Sequence, residues 1–507
     1  MKKITFLAAM IIAATTLNAQ NGVLDNTFGT NGRVITDISA EENEARDIVI
    51  QPDGKIVVAG RSIAGIYNQF ALARYNTNGS LDNTFGSGGL LVTNVSAGDD
   101  VIRGMALQPD GKIVVVGYAG VANEYLAIVR YNTNGTLDNT FATNGIDSLL
   151  IIDNPGDGDR SVPNDVKIQS DGKIVVAGLV KNSVGVERFA IVRYNTNGTL
   201  DASFGSGGKQ IIVYGAGDGE LESLAIQTDG KIVIAGHYDN GGDRDIYVGR
   251  INQFGMDNSF GTNGNVTYDF GSGDDEVWTL ALQNDGKIVV AGNVSNGSDK
   301  DFGLLRYDAS GVLDNTFGTA GAVITELGAN IDDYPLQAIM QPDNKILVAG
   351  VQFGTTQDLV IARYNANGTL DNAFGTNGLV IEDINNTDDI AFDIALQSDG
   401  KIVITGVSDG DFMTSRYTSG LVGIEDIVEL SSFNLYPNPV KDQLIITTEN
   451  EKINNIKMMD ATGKTISIAN EITQNTTTIN VADLAKGLYI LQIQTGKGIA
   501  TKRFIKE

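Results

Sequence analysis

At 507 residues, with 36 Lys plus Arg against 62 Asp plus Glu, the chain carries a formal charge of -26. Phosphate backbones are held by basic patches, so this balance excludes nucleic acid as a partner. There is no cysteine, so neither a disulfide nor a lipidated cysteine holds or tethers the protein, and its stability rests on packing.

The N-terminus has a three-part layout: Lys2 and Lys3, an apolar run from Ile4 to Leu17, then Asn18-Ala19-Gln20. That run falls short of the ~20 residues that span a bilayer, so residues 1–19 are predicted to be a secretory signal peptide. No later segment is apolar enough to span, and no transmembrane helix is expected in the mature chain.

From Leu24 onward one unit recurs. Its Leu-Asp-x-x-Phe block places phenylalanines at Phe28, Phe85, Phe141, Phe204, Phe260, Phe317 and Phe374, a period of about 57 residues. A Gln-x-Asp-Gly-Lys-Ile block and an arginine usually followed by Tyr-Asn also occur seven times each. Within a unit, Asp47 to Gln51 and Lys55 to Gly60 read as strands joined by a tight Pro52-Asp53-Gly54 turn. In the sixth unit Asn344 replaces the turn glycine, the next most tolerant residue for a left-handed conformation. A third strand runs from Phe70 to Tyr75, and a fourth, of which Arg33 to Ile38 is the first example, follows the Leu-Asp-x-x-Phe turn.

Runs such as Ile56-Val57-Val58-Ala59 are apolar without alternation, as in strands covered on both faces. Seven four-stranded antiparallel units, each sheet lying between two others, describe a seven-bladed β-propeller. The repeats open with a fourth-type strand, Arg33 to Ile38, and end after a third-type strand, Phe412 to Tyr417. The first strand should therefore complete the last blade and leave no open edge. The recurring Leu-Asp-Asn-Thr-Phe-Gly, Gln-Pro-Asp-Gly-Lys-Ile-Val-Val-Ala-Gly and Arg-Tyr-Asn motifs, over residues 24 to 420, resemble the delta-60 repeat family. That resemblance implies a propeller and no chemistry.

After a connector at 421–434 the signatures change. Tyr436-Pro437-Asn438-Pro439, then Asp460-Ala461-Thr462-Gly463-Lys464, then Gly487-Leu488-Tyr489-Ile490 and a basic final strand fall in order. Strands separated by turn dipeptides fit a small immunoglobulin-like β-sandwich over 435–507. The segment resembles the type A C-terminal sorting domain of the Bacteroidetes type IX secretion system. The resemblance implies recognition by that system's outer-membrane translocon through Tyr436, Pro437, Asn438, Pro439, Asp460, Gly463, Lys464, Gly487 and Tyr489, with surface attachment or release. The expected class is thus all-β, a propeller at 20–420 followed by the sandwich.

Catalytic groups must converge at one place, whereas here the polar residues mostly repeat. No catalytic or cofactor-binding residue is assigned. His237, the single histidine, reads as a variable strand-end residue, and Trp278, the single tryptophan, as packing between blades. The repeated arginine should pair with the aspartate of a Leu-Asp turn. Asn-Gly-Thr and Asn-Gly-Ser at Asn78, Asn134, Asn197 and Asn367 read as turn chemistry. Acidic pairs or clusters recur near the start of each unit's first strand: Asp99-Asp100, Asp274-Asp275-Glu276, Asp332-Asp333 and Asp388-Asp389, with Glu41-Glu42, Asp157 with Asp159, and Asp218 with Glu220. If that strand is innermost they ring the channel mouth, where hard cations such as calcium suit clustered carboxylates, although no spacing matches a defined calcium loop. The functional expectation is a secreted or cell-surface binding or adhesion propeller, non-enzymatic, whose partner is an extracellular protein or glycan. The alternatives are an extracellular hydrolase or lyase, or a structural surface-layer component.

Overall fold

The computed structural model describes residues 21–151, 159–181, 185–215, 217–271, 273–420, 433–448, 452–460, 465–470, 475–482, 484–495 and 498–506. The predicted signal segment 1–19 and residues 421–432 of the predicted connector lie outside them. Among the described residues every regular element is a strand, and no helix is long and apolar enough to cross a membrane.

Seven antiparallel sheets make up the first unit. Blade I runs from the inside outward as Asn43–Ile50, Ile56–Ala64, Tyr67–Tyr75 and Leu90–Thr93. The same order repeats through blade VII, whose own strands are Asp389–Leu396, Ile402–Ser408 and Asp411–Tyr417. First strands of successive blades pack side by side, and that of blade VII returns to that of blade I. They are therefore the innermost strands, as the expected channel requires.

The ring closes through the N-terminal strand. Arg33–Thr36 pairs antiparallel with the last strand of blade VII, Arg33 opposite Ser415 and Thr36 opposite Phe412. The Gly22 and Asp25 amides extend this closure by donating to the Thr418 and Arg416 carbonyls, both at 2.7 Å. One apolar core lies at each of the seven blade junctions, for example Val57, Phe70, Ile102 and Val115 between blades I and II. A strand covered on both faces needs apolar residues at every position, which is why the second strands do not alternate.

The repeated motifs build the joints between these cores. In the hairpin turn the Gly54 amide donates to the Gln51 carbonyl at 2.8 Å, and Gly54 has φ 81°. Asn344 takes its place in blade VI with φ 65°, the left-handed region that asparagine tolerates. Arg74 Nε lies 2.8 Å from Asp82 Oδ2, its guanidinium 4.6 Å above the buried Phe85 ring, and its Nη1 donates to the Thr133 carbonyl of the next blade. Arg130, Arg193, Arg250, Arg306 and Arg363 pair the same way with Asp138, Asp201, Asp257, Asp314 and Asp371. Arg416 reaches Asp25 at 2.9 Å and so joins the two ends of the ring. The Asn-Gly-Thr/Ser segments are turns: Asn78 Oδ1 accepts from the Ser80 amide at 3.0 Å and its hydroxyl at 2.8 Å.

The second unit is a two-sheet sandwich. One sheet holds Phe433–Tyr436, Gln443–Thr448 and Thr476–Asn480; the other holds Thr465–Asn470, Ile453–Asp460, Gly487–Thr495 and Gly498–Lys506. Its core gathers Leu444, Ile446, Ile456, Leu491 and Phe504 from both sheets. The strands Thr465–Asn470 and Thr476–Asn480 add to those read from the sequence.

Candidate functional site in the channel

The channel is shaped by one backbone device used seven times. Each inner strand carries a bulge, at Arg46, Arg103, Asn164, Glu222, Trp278, Leu336 and Phe392, where one extra residue opposes its partner strand. A glycine on the second strand permits it. A Cβ at Gly60 would sit 1.9 Å from the Glu44 carbonyl oxygen, and at Gly236 2.0 Å from that of Glu220. Only glycine fits so close an approach. The bulge re-aims a side chain, and all seven of these residues line one cavity of about 320 Å³ together with Asp47, Asp165 and Asp393.

The residue after the bulge holds the ring together. Asp47 Oδ2 accepts the Met105 amide at 2.7 Å, Asp165 Oδ2 that of Leu224 at 2.8 Å, and Asp393 Oδ2 that of Ile48 at 2.8 Å, each from the next blade. Ser223 and Thr279 do the same for Leu280 at 3.3 Å and Ala338 at 3.2 Å. Burial, and then repulsion from Asp393, push the Asp47 carboxyl well above its usual range. Asp393 is raised by burial as well.

Whereas the frame repeats, the side chains it presents do not. Blades I and II supply cations. Arg46 lies 4.8 Å from the Phe392 ring centroid and its Nη2 is 2.5 Å from Glu44 Oε1. Arg103 lies 5.8 Å from the Tyr118 ring. The Nε atoms of both arginines are buried without a hydrogen-bond partner. Burial lowers the pKa of Arg46, Glu44 opposes that, and Arg103 adds to the lowering.

Blades IV and V supply acids. Glu220 pairs across the hairpin with His237, and Glu222, two residues on, shares the face of Glu220. One carboxylate oxygen from each glutamate and a ring nitrogen of His237 lie within 4.8 Å of one another. Asn164 donates to Glu220 Oε1 at 3.0 Å. His237 is 5% exposed and its Nδ1 has no partner. Burial lowers its pKa, while Glu220 and Glu276 oppose the shift. Burial and then Glu220 push Glu222 well above the usual carboxylate range. Burial acts the same way on Glu276, but the Asn293 amide and Lys300 overcome it and bring that group down to about 2. Trp278 lines the channel rather than an apolar core between blades: its indole N–H donates to Asn293 of its own blade and its ring lies 6.5 Å from that of Tyr334 on the next one.

Of the acidic pairs, Glu220 joins this cluster, whereas the others with described geometry are placed differently. Asp99, Asp274, Asp332 and Asp388 each accept a backbone N–H at the start of a third strand in the preceding blade, from Asn68, Arg244, Lys300 and Gln357 at 2.9–3.0 Å. Asp100, Asp275, Asp333 and Asp389 are buried and accept amides of their own loops, from Val95, Phe270, Leu327 and Ile384. Asp157 lies outside the described residues. Sequence reading takes His237 for a variable strand-end residue and passes over Glu222, because the hairpin register and the bulge that bring them together leave no local motif.

In the sandwich, Tyr436-Pro437 and Asn438-Pro439 are cis peptides, and Tyr436 is exposed. Asn438 Oδ1 accepts the Ile505 amide at 2.8 Å. Tyr489 stacks on Phe504 at 5.5 Å, its hydroxyl donates to the Ala485 carbonyl at 2.8 Å, and its backbone pairs with Asp460. Gly487 begins the same strand. Gly463 and Lys464 lie outside the described residues.

Comparison with known families accounts for both units. Residues 434–507 match the secretion system C-terminal sorting domain. Residues 51–85, 108–141, 169–204, 227–256, 283–317 and 341–374 match the domain of unknown function (DUF5122) beta-propeller. The chain thus carries DUF5122 β-propeller repeats followed by a secretion system C-terminal sorting domain. This DUF5122 propeller is therefore exported by the type IX system to the cell surface or beyond. No curated protein matches it. Among solved structures, it is similar to a catalytically inactive virginiamycin B lyase from Staphylococcus aureus with quinupristin, at 12% identity over 76% of this chain and 98% of that one, TM-score 0.44. It is also similar to Sqt1 from Chaetomium thermophilum, at 13% identity over 76% and 99%, TM-score 0.39. A PL25 ulvan lyase matches at 14% identity over 63% and 78%, TM-score 0.41.

Proposed function

We propose that this exported propeller is a binding protein whose channel takes one acidic ligand, such as a carboxylated or sulfated glycan end or an acidic peptide end. The observation that carries this reading is the pair of guanidinium groups, Arg46 and Arg103, facing one cavity beside aromatic rings with their Nε donors unpartnered. Guanidinium forks suit carboxylate and sulfate oxygens, and aromatic walls suit the apolar faces of sugars. The test is an array of acidic and neutral glycans and peptides probed with the secreted propeller. Acidic ligands should bind, and Arg103→Ala should weaken them at least about tenfold. Binding confined to neutral ligands, or indifferent to both Arg46→Ala and Arg103→Ala, would overturn the reading.

The second reading, a hydrolase or lyase, is favoured by one observation: Glu220, Glu222 and His237 converge beside those arginines, as chemistry at a single point requires. Release of a shortened product from a bound ligand, abolished in Glu222→Gln, would select it.

A further inference from the structure

We infer that Glu220, Glu222 and His237 form a binding site for one divalent d-block cation of the zinc or manganese kind, open toward the channel. The site goes beyond the acidic-ligand reading and does not depend on it.

Three donors from one blade converge because the hairpin sets His237 opposite Glu220 and the bulge adds Glu222 on the same face. The equivalent pairs elsewhere do not offer this set: Glu44 faces Arg61, Val162 faces Leu179 and Glu276 faces Asn293. One ion per chain follows. The buried Nδ1 of His237 has no hydrogen-bond partner, and a desolvated nitrogen left unpaired costs stability that a bound cation would return. Asn164 fixes Glu220 by donating to Oε1 at 3.0 Å and to the Leu221 carbonyl at 3.0 Å, the kind of outer contact that orients metal ligands. Neighbouring Glu276 is already engaged by Lys300 at 3.1 Å and by Asn293 at 3.1 Å.

Donor type selects the ion. Calcium favours six to eight oxygens, whereas imidazole with carboxylates suits zinc, manganese, cobalt or iron(II). Bonds of about 2.1 Å at a tetrahedral centre place ligands about 3.4 Å apart. Closing from within 4.8 Å then asks for little more than rotation of two half-buried glutamate side chains. The remaining coordination position would face the cavity, where water or a ligand oxygen can enter.

The test uses the full chain, stripped with a chelator and titrated with Zn²⁺, Mn²⁺ and Ca²⁺ at matched ionic strength with no other ligand present. Calorimetry and metal analysis should give one Zn²⁺ or Mn²⁺ per chain, and Co²⁺ should quench Trp278, which lies on the next blade. His237→Gln and Glu222→Gln should each weaken binding about tenfold or more, whereas Asp274→Asn with Asp275→Asn should leave it unchanged. Should His237→Gln misfold, the half-buried Glu222→Gln carries the comparison. Absence of Zn²⁺ and Mn²⁺ binding, binding of Ca²⁺ alone, or Zn²⁺ binding untouched by Glu222→Gln would each overturn the site. Failure of the acidic-ligand array would leave this result standing, because no such ligand enters the titration.

Discussion

Gly60 and Arg46 illustrate how this chain divides labour between neighbouring residues. The glycine leaves room for a bulge, and the bulge turns the arginine into the channel. The glycine recurs in all seven repeats, whereas the bulge residue is arginine in blades I and II and a different residue in each of the other five. The structural half of this pairing was legible as a motif. The functional half was not, because a bulge shifts the strand's alternation by one residue and only the folded register shows where. Asp47, next in sequence, is constrained by its neighbours: half-buried at the cavity wall, it accepts the Met105 amide and is repelled by the buried Asp393. A buried carboxyl whose folded pKa lies above its unfolded value favours the protonated form. Its stability contribution is full below the unfolded value near 3.8 and is lost as pH rises through the folded one. Asp47→Asn keeps an oxygen acceptor for the Met105 amide and removes the ionisable group. The variant should melt a few degrees above the parent at pH 8 and close to it at pH 4. A parent-like melting temperature at both values would show that the pair carries no such penalty.

At the level of elements, the hairpins and the closing strand follow from signals in the chain. Turn residues fix each Gln-x-Asp-Gly-Lys hairpin, and the offset between the first and last repeat foretells the partner of Arg33–Thr36. That strand supplies the whole outer edge of blade VII, and Asp25, a few residues before it, receives Arg416 in a nearly buried ion pair. Removing residues 21–38 would expose the edge of Asp411–Tyr417 and strand the Arg416 guanidinium without Asp25. Breaking a buried pair by deleting one partner costs about 3–5 kcal/mol, and the lost ladder adds to that. The deletion should lower the melting temperature by ten degrees or more and promote edge-to-edge association, read by calorimetry and light scattering. A deletion that melts with the parent would mean that blade VII does not depend on this strand. The acidic pairs are the converse case. Part of their repetition reflects a joint between blades, since Asp99, Asp274, Asp332 and Asp388 each hold an amide of the preceding blade, while Glu220 of another pair turns to the channel cluster.

For the whole molecule, export and fold are separable, and this gives the sharpest test of the sorting assignment. All seven interblade cores are built from residues up to Tyr417, and the core of the sandwich comes entirely from residues within 435–504. Each unit has its own apolar core among the described residues, so each should fold when the other is removed. A chain ending at Gly420 should therefore keep a propeller that melts as in the full protein, cross the inner membrane by its predicted signal segment, and accumulate in the periplasm. Residues 421–507 fused behind an unrelated exported protein should carry that cargo out of the cell. Fractionation of cells and medium reads both results, and the melting curve of the truncated chain shows that retention is not misfolding. Appearance of the truncated propeller in the medium, or retention of the fused cargo, would mean that the address lies elsewhere in the chain.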